Sequence, residues 1–258
     1  MRISPAAQAA FSSVWADRPA RFYAHGMDRS DYGRHAGAAL HAALGRPASL
    51  IDIGAGAGHP ALGWVEPQAP WWAVEPNRYL RARLGRLSRT SHPGLRPIDA
   101  LWQAMPELPL ADVAFCANTS GPLEAPALLL DLMRGMATRA VAWIVPAQRG
   151  PKRWCLSGAL PAHLHGEEER PAVTEVLARL GEGRQPSRST LFPWSFTARF
   201  ASREDAFAHC AMQLGLAPQD ARRKALEDHL QTALRRSDDG GYELSAPKLS
   251  ALLIWDRV

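Results

Sequence analysis

The stretch SLIDIGAGAGHPALGWVEPQAPWWAVE, residues 49–75, decides the fold of this chain. Its first run, at 50–53, is apolar apart from Asp52 and is typical of a buried parallel strand. Alternate glycines follow at once, and glycine is needed where backbone turns sharply or approaches a ligand closely. A second apolar run, at 71–74, ends in Glu75. Strand, glycine turn, short helix, strand and acidic tip predict the first half of a doubly wound α/β fold, in which the acidic residue accepts hydrogen bonds from ribose hydroxyls.

The spacing of the glycines indicates which kind of nucleotide cofactor this loop would hold. A dinucleotide fingerprint, G-x-G-x-x-G, would have its third glycine at position 59, which is His59, so an NAD-dependent dehydrogenase is disfavoured. The pattern is instead D-x-G-x-G-x-G, formed by Asp52, Gly54, Gly56 and Gly58. It resembles motif I of the class I S-adenosylmethionine-dependent methyltransferases. A glycine-rich turn in some other α/β protein is the alternative.

The resemblance implies S-adenosylmethionine as cofactor and assigns contacts to it after successive strands. In that family the glycine loop passes under the methionine part of the cofactor, and the motif I acid lies close to its amino group. An acid near the end of a third strand region, at 94–100, hydrogen-bonds the adenine amine, which points to Asp99. Asn118 follows the strand at 113–116, at motif IV, and either faces the cofactor or bonds its own backbone in a turn. The predicted cofactor residues are Asp52, Gly54, Ala55, Gly56, Gly58, Glu75, Pro76, Asp99, Ala100 and Asn118.

Five alternations of strand and helix predict right-handed crossovers and a mostly parallel sheet. The order of the whole chain resembles the small-molecule methyltransferases of class I, which implies a doubly wound, seven-stranded α/β sheet with an antiparallel final strand. An N-terminal helical lid and a helical cap insertion would complete it. The predicted units are the lid at 1–48, the cofactor-binding core at 49–147, a cap with core edge elements at 148–240 and an antiparallel C-terminal hairpin at 241–258.

Flanking elements follow from apolar periodicity and from capping residues. In the lid, helical spacing of apolar residues predicts a first helix around Phe11, Val14 and Trp15. The same spacing at 39–44 predicts the end of a second helix, and a polar segment at 22–36 lies between the two. In the cap we expect a helix at 173–180 and a strand at 189–200. Ser202 is expected to cap a further helix and Pro218 to open another.

Methyl transfer from a sulfonium requires mainly an aligned nucleophile and the exclusion of water, so a dedicated base is optional. A histidine with a pKa near neutrality would assist a hydroxyl or a protonated nitrogen. The candidate catalytic residues, all in the lid, are His25, Tyr32 and His35. The candidate acceptor contacts are Tyr23, His165 and Trp194, since aromatic rings accommodate planar groups. Each of these side chains is alternatively an ordinary surface or structural residue.

Composition and residue spacing limit the kinds of partner that the chain is expected to bind. Its net charge of +5 comes from arginines spread without a basic block, which disfavours nucleic acid. Cys116, Cys155 and Cys210 lack C-x-x-C spacing, and the H-L-H run at 163–165 matches no zinc pattern, so no metal is expected. No run has the length of a signal peptide or a membrane span, so we expect a cytoplasmic protein with no membrane partner. The oligomeric state stays open between monomer and homodimer.

The function favoured by these residues is transfer of a methyl group to an oxygen, nitrogen or sulfur of a small-molecule acceptor by in-line displacement. One alternative is RNA methylation, because IDIGAGAGHPAL, at 51–62, also resembles the loop of ribosomal guanine methyltransferases. The long cap and the lack of a basic cluster do not fit that alternative. A second alternative is a scaffold that binds S-adenosylmethionine without transferring its methyl group.

Overall fold

Helices cover both faces of one mixed β-sheet. The computed structural model describes residues 17–119, 123, 125–149, 155–165 and 170–256. The strands are β1 (Leu50–Ile53), β2 (Trp71–Val74), β3 (Leu95–Ile98), β4 (Ala111–Ala117), β5 (Ala137–Pro146), β6 (Arg188–Phe200), β7 (Arg235–Arg236) and β8 (Tyr242–Asp256). The main path of the sheet has seven strands in the order β3-β2-β1-β4-β5-β8-β6, and the short β7 pairs with β8 beside it. The predicted seven-stranded α/β sheet is therefore confirmed.

The parallel half of the sheet is buried on both faces. β1 lies between β2 and β4, with Leu50 opposite Trp71 on one side and Val113 on the other. Successive side chains of a strand point to opposite faces. Leu50 accordingly packs in the core layer under the N-terminal helices, while Ile51 and Ile53 pack in the layer on the other face. Asp52 points to the same side as Leu50, so the motif I carboxylate is directed into a packed interior.

The antiparallel edge is formed by β5, β8 and β6. The prediction of a hairpin at 241–258 is wrong, because β8 is one continuous strand of 15 residues. The pairing of the strands explains why no turn forms. β6 pairs with β8 over residues 242–254, whereas β5 pairs only with residues 250–256 of β8. Pro247, which has no N–H to donate, lies where β8 has a main-path neighbour on one side only, and proline is tolerated at such an edge.

In the part of the chain that the structure describes, two helices, α1 (Asp17–Arg29) and α2 (Tyr32–Leu44), precede β1 and pack against β6. The prediction that the polar segment 22–36 lies between the two helices is wrong, because both helices extend into it. Small and apolar side chains at helical spacing form the buried side of α1; these are Ala20, Ala24 and Met27. The helix predicted around Phe11, Val14 and Trp15 lies outside the described residues.

The remaining helices are α3 (His59–Leu62), α4 (Arg78–Thr90), α5 (Pro126–Met136), α6 (Ala162–His165), α7 (Ala172–Leu180), α8 (Arg203–Gln213) and α9 (Arg222–Ala233). The predicted cap of α8 is confirmed, since the Ser202 hydroxyl accepts a hydrogen bond from the Asp205 N–H at 3.1 Å. Pro218 does not open α9, which begins at Arg222, where the Asp220 carboxylate accepts from the Arg222 N–H at 2.9 Å. Among the described residues, no helix combines the length and hydropathy that a bilayer span needs.

Candidate functional site

A cavity of about 170 Å³ opens at the carboxyl ends of the parallel strands. One water molecule needs about 10–15 Å³ of such space, so this cavity is large enough for a ligand. Open α/β sheets bind their ligands at this edge. The walls come from the ends of β1, β2 and β4, from the segment after β3, from helices α1 and α2, and from β6 and β8.

The glycine loop exposes backbone at the floor of this cavity. Gly54, Gly56 and Gly58 have φ angles of 69°, 58° and 83°, a left-handed conformation that side chains disfavour. A β-carbon on Gly54 would lie 2.6 Å from the Thr119 hydroxyl, and one on Gly56 would lie 3.2 Å from the Tyr23 hydroxyl. Gly54 and Gly56 line the cavity, whereas Gly58 caps α3 behind it. Ala55 is buried in the core and is not part of the lining.

Glu75 fixes the loop against the tip of β2. One of its carboxylate oxygens accepts from the Gly56 N–H and the other from the Asn77 N–H, both at 2.8 Å. Burial raises the pKa of Glu75 to about 7, and the two N–H donors oppose that shift. A carboxylate has about four acceptor positions, so Glu75 can still accept hydrogen bonds from a ligand in the cavity. Pro76 and Ala100 lie beside it in the lining.

Asp52 lies beneath the cavity and is not part of its lining. Its side chain is buried, and Oδ2 has no hydrogen-bond partner among the described residues. Burial raises the pKa of this carboxyl to about 8, opposed by the Trp71 indole, and the nearby Glu75 charge adds to the rise. A buried oxygen without a partner costs free energy. Within the described ranges, Asp52 Oδ2 is therefore a buried polar atom without a hydrogen-bond partner.

Asn118 has a strained backbone and connects β4 to the lid. Among the described residues it is the one non-glycine with a positive φ, 50°. Its Nδ2 donates to the Tyr32 hydroxyl at 2.8 Å, so the alternative of a side chain bonded to its own turn is wrong. Its Oδ1 is buried and has no partner in the part of the chain that the structure describes. Strain of this kind concentrates at functional sites.

Two lid tyrosines cover the floor of the cavity. Tyr23 from α1 and Tyr32 from α2 both line it. Burial raises the pKa of each phenol above its ordinary value of 10, and the charge of Asp52 contributes to both shifts. Both hydroxyls therefore stay protonated at neutral pH and act as neutral hydrogen-bonding groups.

The half of the cavity furthest from Glu75 is built by β6, β8 and the segments after β5. Trp194 and Phe196 of β6 line it together with Lys248 and Ser250 of β8, Gln148 and Cys155. The Trp194 indole N–H donates to the Ser250 hydroxyl at 3.0 Å, and the Trp194 ring lies 4.4 Å from that of Tyr32, centroid to centroid. Lys248 is only 8% exposed, and its Nζ donates to the Ser157 hydroxyl at 2.8 Å.

Sequence reasoning missed the polar residues of β8. A signal for them exists, because alternate positions 244, 246 and 252 are apolar and buried, and Lys248 and Ser250 continue the same face. A lysine in the inward register of a buried strand is unusual enough to mark a site. The assumption of a hairpin turn near this position concealed that register.

Several predicted residues lie outside the cavity lining. The His25 side chain is 63% exposed and lies 4.0 Å from Asp28, and His35 lies 3.3 Å from Asp31, so both histidines pair with lid carboxylates instead. Asp99 is 69% exposed, forms an ion pair with Arg81 at 2.7 Å and is not part of the cavity lining. His165 at the end of α6 is also absent from the lining. Of the candidate catalytic and acceptor-binding residues, Tyr23, Tyr32 and Trp194 line the cavity together.

Metal-binding geometry is not found in the part of the chain that the structure describes. There, no group of three or more histidine, cysteine, aspartate or glutamate side chains is arranged to hold an ion. Cys116 and Cys210 are buried free thiols, and Cys155 is a partly buried one.

Comparison with known proteins gives matches in structure only. No protein-family model and no curated protein matches the chain. The YcgJ protein from Bacillus subtilis aligns over 87% of this chain and 100% of its own, with a TM-score of 0.51 and 14% identity. BH2331 from Bacillus halodurans, a suggested methyltransferase, aligns over 85% and 97%, with a TM-score of 0.50 and 12% identity.

A methyltransferase from Geobacter sulfurreducens, crystallised with S-adenosylhomocysteine, aligns over 86% of this chain and 90% of its own, with a TM-score of 0.47 and 14% identity. At 14% and 12% identity, the likeness to the two Bacillus proteins concerns the fold. The strand order, the antiparallel β8 and the glycine loop after β1 agree with it. The chain has the Rossmann-like fold of the class I S-adenosylmethionine-dependent methyltransferases.

Proposed function

We propose that this protein is an S-adenosylmethionine-dependent methyltransferase acting on a small molecule. The observation that carries the proposal is the make-up of the cavity at the carboxyl edge. One half of it is built by the glycine loop and Glu75, and the other half by aromatic and polar side chains of β6 and β8. A cofactor seat that opens directly into an acceptor-sized space is what in-line transfer requires, because the two reacting atoms must be held together.

The residues present fit the cofactor. Gly54 and Gly56 leave room that a β-carbon would fill, and Glu75 offers acceptors for ribose hydroxyls. The buried Asp52 Oδ2, which has no partner in the described ranges, suits the ammonium of a methionine group. When bound, S-adenosylmethionine supplies a methyl group on a sulfonium, whose sulfur keeps the electron pair of the broken S–C bond.

The side chains around this seat orient the acceptor and exclude water. Tyr23 covers the glycine loop, and Asn118 is held by Tyr32 at the end of β4, where its Oδ1 can accept a hydrogen from an acceptor group. The apolar side chains of Met27, Leu101 and Trp102 complete the wall. His25 and His35 have no place in this mechanism, since neither reaches the cavity.

A small-molecule acceptor is favoured over RNA by the pairing of the arginines. Many arginines are already engaged with carboxylates, which leaves less positive charge for a phosphate backbone. The pairs are Arg81–Asp99, Arg83–Asp28, Arg139–Asp112, Arg184–Asp131, Arg188–Asp256, Arg199–Asp239 and Arg222–Asp220. Binding to an RNA oligonucleotide with a steep salt dependence would favour the RNA alternative instead.

Calorimetric titration with S-adenosylhomocysteine tests the cofactor half. We expect saturable binding to the wild type and binding weaker by about a hundredfold or more in Glu75→Ala, because a carboxylate that accepts two hydroxyls is lost. Glu66→Ala, at an exposed ion pair with Arg46, is the matched control and should bind like the wild type. Absence of binding to the folded wild type would refute the proposal.

A turnover assay separates the enzyme from a scaffold that only binds the cofactor. The protein is incubated with S-adenosylmethionine and a panel of hydroxyl, amine and thiol compounds, and S-adenosylhomocysteine is quantified. Acceptor-dependent release supports transfer. Tight binding without release across the panel would favour the scaffold.

A further inference from the structure

The order of the strands separates the two ends of the cavity. Glu75 follows β2, and Lys248 lies on β8, with β1, β4 and β5 between them. Neighbouring strands are about 4.8 Å apart, so four intervals place these residues roughly 19 Å from each other along the sheet edge. If Glu75 and the glycine loop hold the cofactor, side chains of β6 and β8 face the acceptor.

Lys248 presents a buried charge at this acceptor end. It pairs in register with Trp194, so both side chains lie on the same face of the sheet, and both line the cavity. Its Nζ donates to the Ser157 hydroxyl at 2.8 Å. An ammonium group in the wall of a cavity can donate a charge-assisted hydrogen bond to an anionic oxygen of a ligand. Burial lowers the pKa of Lys248 to about 8, so this side chain is still mainly protonated at pH 7.

The walls next to this lysine are aromatic and held in place. The Tyr32 and Trp194 rings lie 4.4 Å apart, and the Trp194 indole is anchored by its hydrogen bond to Ser250. Phe196 adds a third ring to the lining. Fixed aromatic surfaces contact a flat ligand over a large area at little entropic cost.

From this arrangement we propose that the acceptor is a planar molecule with an anionic oxygen and that Lys248 binds that oxygen while the packed rings of Trp194, Tyr32 and Phe196 form one wall beside it. The inference rests on the proposed function, because it takes the β1–β2 end of the cavity as the cofactor seat. It adds the charge and the shape of the acceptor. A cationic amine acceptor would be repelled by the same lysine.

A purely structural role for Lys248 is the competing explanation. Its contact with Ser157 ties the short turn at Ser157–Ala159 to β8, and Gly158 packs against the Pro247 backbone in the same turn. A structural lysine would affect stability. It would not make the cavity discriminate between ligands of equal shape and different charge.

Three probes of nearly the same planar shape test this difference: benzoate, benzamide and benzamidine, which are anionic, neutral and cationic. Their affinities are measured by calorimetry at pH 7 on the protein saturated with S-adenosylhomocysteine. We expect benzoate to bind at least about tenfold more tightly than benzamide, and benzamidine to bind most weakly, because a charge-assisted hydrogen bond is gained or a repulsion is added.

Variants assign the preference to one residue. Lys248→Met, which keeps the length of the side chain and removes its charge, should reduce the benzoate preference to less than about twofold. Lys248→Arg should keep most of it. Lys224→Met is the matched control, because Lys224 is 70% exposed on α9, and it should retain the wild-type preference.

Equal affinities of benzoate and benzamide for the wild type would overturn the proposal, and this comparison does not depend on whether the Lys248→Met protein folds. Retention of the preference in a folded Lys248→Met protein would overturn it as well. Binding of S-adenosylhomocysteine in the same samples, without a benzoate preference, would leave the proposed function standing and reject only the acceptor class. Failure to bind S-adenosylhomocysteine would reject both.

Discussion

The buried Asp52 carboxyl makes a sharp prediction about stability and pH. Its pKa is raised from 3.8 to about 8 by burial, so the folded protein keeps a proton that the unfolded chain has released. Between about pH 4 and pH 8 the folded state then binds more protons, and its stability falls as the pH rises, by about 1.4 kcal/mol per pH unit for one group. Across the whole window the loss approaches about 6 kcal/mol as an upper limit.

Asp52→Asn removes the titrating proton of this carboxyl and therefore its contribution to the pH dependence of the free energy of unfolding. The pKa of Glu75 is raised to about 7 and adds a smaller loss that extends above pH 7, so the contribution of Asp52 is taken as the difference between wild type and Asp52→Asn from pH 7 to 8. There we expect the free energy of unfolding of the wild type to fall by about 1 kcal/mol relative to that of Asp52→Asn. Urea denaturation at half-unit pH intervals from about 5 to 9 measures both proteins. Asp228→Asn, at an exposed position on α9, is the control and should follow the wild type.

The refuting result is a constant difference between wild type and Asp52→Asn over pH 7–8, which would mean that Asp52 is ionised throughout. A second arm adds saturating S-adenosylhomocysteine. If its ammonium pairs with Asp52, the ligand lowers the pKa of Asp52 and reduces the wild-type slope between pH 7 and 8. An unchanged slope in the bound state would place the ammonium elsewhere.

Three further substitutions have outcomes set by single contacts. Gly56→Val forces a side chain to a φ of 58° and against the Tyr23 hydroxyl, so S-adenosylhomocysteine binding should be lost in calorimetry; retained affinity would contradict the role of the loop. Tyr32→Phe removes the acceptor of the Asn118 amide and should cost about 1–3 kcal/mol in urea denaturation, and no loss would mean that water replaces the hydroxyl. Ser202→Ala removes the N-cap of α8 and should cost about 1 kcal/mol without changing ligand binding; a loss of binding would link that cap to the site.

The end of the cavity near Glu75 could be predicted from sequence because its signals are local. An apolar run of four residues, a glycine turn and an acidic tip lie within 49–75, and each indicates its own conformation. Gly54, Gly56, Glu75, Pro76, Ala100 and Asn118 accordingly all line the cavity. Asp99 does not line the cavity, and its carboxylate forms an ion pair with Arg81 of α4. A contact of this kind between two side chains cannot be predicted from the spacing of residues in the sequence.

The lid and the acceptor half could not be predicted in the same way. The buried side of α1 consists mainly of alanines and one methionine, which carry little hydrophobic signal, and its burial depends on β6 far along the chain. The place of Lys248 depends on the register of β8 against β6, which is set by long-range pairing. The predicted hairpin treated the two ends of β8 as separate strands and missed their continuity across Pro247.

The continuity of β8 has a consequence for how such a protein could change its selectivity. Because positions 248 and 250 are alternate positions on the cavity side of this strand, their side chains can be exchanged while the hydrogen-bonded ladder that carries them stays intact. Among the residues that the structure describes, the Glu75 carboxylate and the glycine loop, four strand intervals away, make none of their hydrogen bonds to β8. In the proposed function, cofactor binding and acceptor selectivity are therefore carried by different strands of the same sheet.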